Sequence, residues 1–296
     1  AMSTQNGYYR STAGKLESLF AIEQDLKFIT PGLKAKATFS FDYFSQTYMT
    51  RGKTPDYYST AKSRNDEGEL VHSILKYGSE FLDHSSNADY GNNSIYFEAA
   101  LSYNRTFAQK HAVDAMFLYN LRSYDNGDYQ PYRNQGIAGR LSYTYDRRYV
   151  AEFNFGYNGS ENFAKGHRYG FFPSVALGWN VSSEKFWAPV KPVISRLKLR
   201  GSYGLVGNDQ IGGTRFIYLA DVNLEASPWF TTGYGTGQTQ SLRGPTYNRF
   251  QNNDITWEIG RKVNAGVEME LFGSLSLTME AFREIRSNIY QQKLSI

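Results

Sequence analysis

Cysteine is absent from all 296 residues, which excludes disulfides and thiolate metal sites but says little about compartment. No run of about 18 apolar residues occurs, so a membrane-spanning helix is excluded; if the chain crosses a bilayer, it does so with strands. The 32 basic and 28 acidic residues are spread along the chain and form no block of the kind that tracks a phosphate backbone. Nucleic acid is therefore not an expected partner. The four histidines, His72, His84, His111 and His167, lie far apart and show no metal-ligand spacing. No Gly-rich phosphate loop, nucleophile elbow or Walker pattern is found. The expectation is no catalytic residue, no metal and no cofactor. The polar start, residues 1–10, shows no signal peptide, so export is expected to depend on residues outside this sequence.

What the chain has in quantity is aromatic residues, 24 Tyr and 20 Phe, although its mean hydropathy is negative. A membrane β-barrel reconciles the two, because only every second residue of a strand faces lipid and the others face a wet lumen. Two-residue alternation recurs along the chain. Phe97, Ala99, Leu101 and Tyr103 alternate with Glu98, Ala100, Ser102 and Asn104. Ala151, Phe153, Phe155 and Tyr157 alternate with Glu152, Asn154 and Gly156, and Val263 to Leu271 alternate with Asn264, Gly266, Glu268 and Glu270. Residues 33–43, 137–145, 197–203 and 275–281 repeat the pattern, and 15–28, 111–122 and 169–181 repeat it more weakly. The expected fold class is all-β, an antiparallel transmembrane β-barrel segment of about ten long strands.

The connections alternate as the strands do. Short turns are expected at 30–32, 108–110, 146–148 and 271–273, and long excursions at 50–91, 123–133, 159–168 and 206–257. Short periplasmic turns and long extracellular loops are the signature of outer-membrane barrels. Residues 182–193 fall on the short side but are too long for a hairpin turn, and a small helical or Pro-bounded turn is expected there. Glu69 to Tyr77 reads as one strand of an extracellular hairpin. A soluble β-sandwich also alternates, but its strands run about five or six residues. These sustain the pattern for about nine to thirteen, the length that spans a tilted bilayer crossing. Tyr143, Tyr145, Tyr149, Phe107 and Trp179, near strand ends, suit an interfacial girdle.

With these residues in view, a family resemblance enters. Residues 146–187 resemble a barrel segment of SusC/RagA-type TonB-dependent transporters, above all in Tyr169-Gly170-Phe171-Phe172-Pro173-Ser174 followed by Gly178-Trp179. LKLRGSYGLVGNDQIG from Leu197 and NDITWEIGRKVNAGVEMELFGSLSLTMEAF from Asn253 agree in order and spacing. The likeness covers about residues 95–290 and is diffuse before them. It departs at Gly156-Tyr157-Asn158-Gly159-Ser160-Glu161, where family members more often carry Arg and Asp before the Gly-Ser. The resemblance implies a plugged barrel of about 22 strands, a TonB-box segment coupling it to the TonB complex, and a SusD-like surface lipoprotein over the substrate. No plug, TonB box or closing C-terminal strands are recognisable, so residues 1–296 are expected to be a partial barrel, the middle part of a longer protein.

The function implied is import of nutrients such as oligosaccharides or peptides across the outer membrane, by a chain that is not an enzyme. Two alternatives stay open: a small self-contained outer-membrane barrel, adhesin or enzyme, and a soluble β-rich carbohydrate-binding module. Candidate substrate contacts on the polar face are Glu98, Arg140, Lys198, Arg200, Glu268 and Glu270. Glu268 and Glu270 raise the thought of a glycosidase pair, but polar residues are expected on an inner wall, with Lys198, Arg200 or neighbours as partners. Loop aromatics Tyr57, Tyr58, Trp229, Phe230 and Tyr234 can stack on sugar rings or equally hold the loops together. Asp125-Asn126-Gly127-Asp128 reads as a turn before it reads as a calcium loop.

Overall fold

The computed structural model describes residues 6–128, 130–210, 215–233 and 240–291, with the side chains at 87–90 and 228–230 outside the description. In chain order the strands are β1 (Gly7–Asp25), β2 (Leu33–Gly52), β3 (Tyr57–Tyr58), β4 (Ser63–Arg64), β5 (Leu70–Val71), β6 (Ile74–Lys76), β7 (Asp83–Phe107) and β8 (His111–Asp125). There follow β9 (Tyr132–Tyr145), β10 (Tyr149–Ser160), β11 (Tyr169–Asn180), β12 (Ile194–Asn208), β13 (Asp221–Thr232), β14 (Gln240–Arg249), β15 (Glu258–Leu271) and β16 (Leu275–Ser287). Ten of them form one sheet in the order β1-β2-β7-β8-β9-β10-β11-β12-β15-β16. That is an up-and-down meander interrupted only by local hairpins, and the ten long strands are those the alternation predicts.

Two compact units divide the chain. The first, Ala1–Leu19, Ser40–Ile95 and Tyr124–Pro131, contains β3 to β6 with the start of β1, the end of β2 and the start of β7. In it Tyr57 and Tyr58 of β3 pair with Lys76 and Ile74 of β6, and β4 pairs with β5. The single strand expected over Glu69 to Tyr77 is thus two short strands with different partners. The Asp125–Asp128 segment is a turn: Gly127 N–H donates to Asp125 Oδ1 at 2.9 Å, and Asp128 N–H to Asn126 Oδ1 at 3.3 Å.

The second unit, Phe20–Phe39, Tyr96–Ser123 and Tyr132–Ile296, holds the regular part of the sheet. Its ladders are long and continuous: β10 matches β9 from Tyr149↔Tyr145 to Ser160↔Asn134, and β11 from Tyr149↔Trp179 to Gly159↔Tyr169. This register puts Leu141, Phe153, Phe171, Val175 and Leu177 on one face, where they stay 44–63% exposed. Soluble monomers rarely leave a contiguous apolar patch of more than a few hundred Å² bare. The same strands present Arg140, Glu152, Asn154, Ser174 and Ala176 on the opposite face.

Three of the short turns have one geometry. Ala108 and Gln109, Asp146 and Arg147, and Phe272 and Gly273 all have φ between 47° and 68°. Each is closed by a backbone bond from the fourth residue to the first, such as Arg148 N–H to Tyr145 O at 2.8 Å. Positive φ at both central positions matches the right-handed twist of the flanking strands. Between β11 and β12 the expected helical turn is present as two 3-10 turns, Val181–Ser183 and Lys185–Trp187. The excursion 206–257 is not bare loop: β13 and β14 form a hairpin within it, with register shifts along its length.

Candidate functional site

On the polar face the main cluster is assembled by three neighbouring strands, β12, β15 and β16. Antiparallel register sets Lys198 opposite Glu268, Arg200 opposite Gly266, and Gly266 opposite Glu280. Residues of one parity on adjacent strands share a face, so three cations and their carboxylates converge. Arg200 Nε lies 3.1 Å from Glu268 Oε1, Lys198 Nζ 3.8 Å from Glu268 Oε2, and Arg196 4.0 Å from the same oxygen. The Arg200 guanidinium also pairs with Glu280.

Gly266 makes this reach possible. A Cβ there would stand 3.0 Å from Arg200 Nε and 3.2 Å from its Cγ and Cζ, so the arginine lies flat across β15 to meet β16. Arg200 Nε is buried yet makes no hydrogen bond, and its contact with Glu268 is ionic without the alignment a hydrogen bond needs. Lys198, Arg200 and Glu268 are about a third exposed, Glu280 and Arg196 more so, and each such pair is worth about 0.2–1 kcal/mol. The arrangement fixes charge in space through mutual ion pairing of its cations and carboxylates.

Glu270 stands opposite Arg196 in register and has no ion pair among the described residues. Arg140 lies on β9, two strands from β11, and pairs with Glu152 at 3.1 Å, whose other oxygen accepts from Asn154 Nδ2 at 2.8 Å. Glu98, on β7, accepts a 2.5 Å bond from Tyr96 OH. The six candidates form separate groups, and only Lys198, Arg200 and Glu268 come together. Sequence reading placed Glu152 and Glu280 on the polar face without naming them as candidates, and missed Arg196. Parity was the signal available for Glu152 and Glu280; Arg196 follows a bulge between Ile194 and Arg196.

Of the loop aromatics, Tyr57 and Tyr58 are more than half exposed, and Tyr58 OH is 3.4 Å from Asp56. Adjacent strand residues point to opposite sides, so the two rings form no common platform. Tyr234 and the side chains of Trp229 and Phe230 lie outside the described residues.

Toward the long connections, the polar face is covered by a packed knot of Phe163, Ile217 and Trp257, with Phe172, Ile255 and Tyr290 against it. The Trp257 ring sits 5.3 Å from Phe163 and 5.1 Å from Phe172, and its indole N–H donates to Arg168 O at 3.2 Å. Phe172 lies over Gly207, where a Cβ would come within 2.0 Å of the ring. Phe163 of the connection after β10, with Ile217 and Trp257 before β15, is thereby anchored to β11.

At the short-connection end an aromatic row runs along the apolar face: His111 meets Tyr145, Tyr145 stacks on Tyr149, and Tyr149 on Trp179 at 6.4 Å. Glu184, in the connection after β11, accepts from Trp179 Nε1 at 3.2 Å and pairs with Arg148 at 3.3 Å. The Tyr149 hydroxyl, the Trp179 indole N–H and Arg148 together hold the Glu184 carboxyl below its ordinary value.

Among the described residues no group of three His, Cys, Asp or Glu could hold a metal ion. No family model matches the chain. TonB-dependent receptor P3 of Formosa agariphila is 27% identical over 258 residues, 81% of this chain and 24% of its own length. TonB-dependent receptor SusC of Bacteroides thetaiotaomicron is 36% identical over 141 residues, 47% of this chain and 13% of its own. The chain thus spans a quarter or less of these curated relatives. In structure it matches a chain of the RagAB peptide importer in its closed-closed state at a TM-score of 0.67, with 16% identity, covering 96% of this chain and 31% of that one. The chain therefore has the barrel-wall fold found in the RagAB importer and a sequence similar to TonB-dependent receptors of the SusC kind.

Proposed function

We propose that these residues form part of the wall of an outer-membrane importer, a partial barrel whose plug, TonB box and closing strands belong to the rest of a longer protein. One observation carries the reading: a single meander with an apolar, aromatic-edged face and an opposite face of mutually paired charges. A soluble sheet would cover the first face, and a sheet buried on both sides would not carry the second.

The cargo proposed is a peptide or an oligosaccharide, read past the charges of Glu98, Arg140, Lys198, Arg200, Glu268 and Glu270; the exposed Tyr57 and Tyr58 are separate candidate contacts. Charged lumen side chains select by shape, sign and hydrogen bonding and perform no chemistry. A SusD-like surface lipoprotein and the TonB complex are the proposed partners, the first above the long connections and the second acting through the plug. No catalysis is assigned to the chain.

The test is a strain lacking the full-length protein, supplied with labelled oligopeptides and oligosaccharides as nutrient. Loss of uptake of one class, restored by the intact protein, supports the reading and names the cargo. Normal uptake of both, with the protein in the soluble fraction, overturns it.

A further inference from the structure

We propose that the apolar face, at its short-connection end, binds an anionic phospholipid, an acyl chain lying in a groove on the sheet and the headgroup meeting the turn cations. The proposal rests on the membrane-wall reading above. The groove is an open depression of about 510 Å³ made of two dips, floored by Ala151 and by Gly201 on either side of Leu177 and bounded by Tyr149, Trp179 and Leu199. The register explains its shape. Ala151 and Gly201 are both direct partners of Leu177, one on each side, so a 63% exposed leucine stands between two positions with little or no side chain. In a bilayer such a trough is filled by hydrocarbon, because leaving it empty forfeits dispersion contacts along its length.

Charge at the end of the groove selects the headgroup. The short connections at residues 26–32, 108–110, 146–148, 181–193 and 272–274 carry Lys27, Lys110, Arg147, Arg148, Lys185 and Lys191 against only Asp146 and Glu184. Both carboxylates are taken by one residue, Arg148, at 2.9 and 3.3 Å. Exposed Arg147 and Lys185 have no carboxylate within 4.0 Å among the described residues.

These two cations lie in the connections that adjoin the groove's aromatic rim. Arg147 is two residues before Tyr149, and its carbonyl accepts from Asn180 Nδ2 at 2.6 Å, next to Trp179. Lys185 follows Glu184, which holds the Trp179 indole. The stacked Tyr149 and Trp179 rings, fixed by Glu184, are amphipathic groups of the kind that sit at headgroup level. An apolar trough opening at an aromatic rim beside two unpaired cations matches an anionic phospholipid of the inner leaflet.

The test places the full-length protein in nanodiscs of equal parts phosphatidylglycerol and phosphatidylethanolamine, and counts retained lipids by native mass spectrometry. The unmodified protein is expected to keep phosphatidylglycerol in preference. Arg147→Gln with Lys185→Gln is expected to weaken that preference by about fivefold per cation removed. Ala151→Leu with Gly201→Leu fills the groove and is expected to abolish retention. A Cβ at Gly201 meets nothing closer than Asn264 O at 3.8 Å, so the backbone tolerates it. Ala151→Leu alone is the milder variant and is expected to lower retention in part. Insertion followed by equal retention of both lipids, or by undiminished retention in the filled variants, overturns this proposal alone. Failure of the intact protein to enter nanodiscs overturns the membrane-wall reading with it.

Discussion

Arg200 reaches Glu280 by lying across Gly266, the residue between them, where a side chain would crowd it. Gly266→Val is expected to push the guanidinium off β15 and lower stability by about 1 kcal/mol, the worth of one good partly exposed pair. A double-mutant cycle with Arg200→Ala and Glu280→Ala in denaturant titrations checks this: the coupling present in the parent should vanish in the valine background. Glu184 gives a pH signature of opposite visibility. Its folded value is depressed, so its stabilisation is complete above the unfolded value, near ~4.3, and erodes as pH falls toward and through the folded one. Melting curves over that acid range should fall more steeply for the parent than for Glu184→Gln. Residue-level partners were the least legible part of the sequence. Parity assigned Lys198, Arg200 and Glu268 to one face, but reach across two strands depends on Gly266, and nothing in the alternation announces that.

Strands and turns were legible where period two is undisturbed. The ladders of β9 and β10 pair without a shift and their sequence alternates cleanly, while β11, whose alternation is weaker, still pairs with β10 without a shift. The β13–β14 hairpin escaped because its register slips at three places, which breaks the alternation that would have revealed it. The knot around Trp257 escaped for another reason: its indole bond to Arg168 joins residues 89 positions apart. Trp257→Ala is expected to cost about 3 kcal/mol locally and to open residues 160–168 to protease added outside intact cells. In the parent that segment should resist cleavage. Turn chemistry offers a gain. Ala108 and Gln109 occupy left-handed backbone that Asn and Gly adopt more readily, so Ala108→Asn with Gln109→Gly is expected to stabilise the hairpin by about 1 kcal/mol. Guanidinium midpoints of the detergent-folded protein measure it.

For the whole molecule, the account stands on which face of the sheet meets lipid. Placing a charge on that face should be far costlier than on the other: Phe153→Arg is expected to cost about 2–4 kcal/mol near the bilayer midplane, while Asn154→Arg is nearly neutral. The architecture was readable from sequence because an alternating strand of bilayer length constrains half of its residues to be apolar, whatever the cargo. Cargo was not readable, because it depends on loops and partners that alternation does not constrain. The most direct test uses site-directed spin labelling: these 296 residues contain no cysteine, and any cysteine elsewhere in the full-length protein is first replaced by serine. A single spin-labelled cysteine is moved along residues 150–157 of the full-length protein in bilayers. Labels at 151, 153, 155 and 157 should collide with oxygen in the lipid, and those at 150, 152, 154 and 156 with a water-soluble relaxant. A water-soluble relaxant reaching both sets equally would contradict the barrel-wall account.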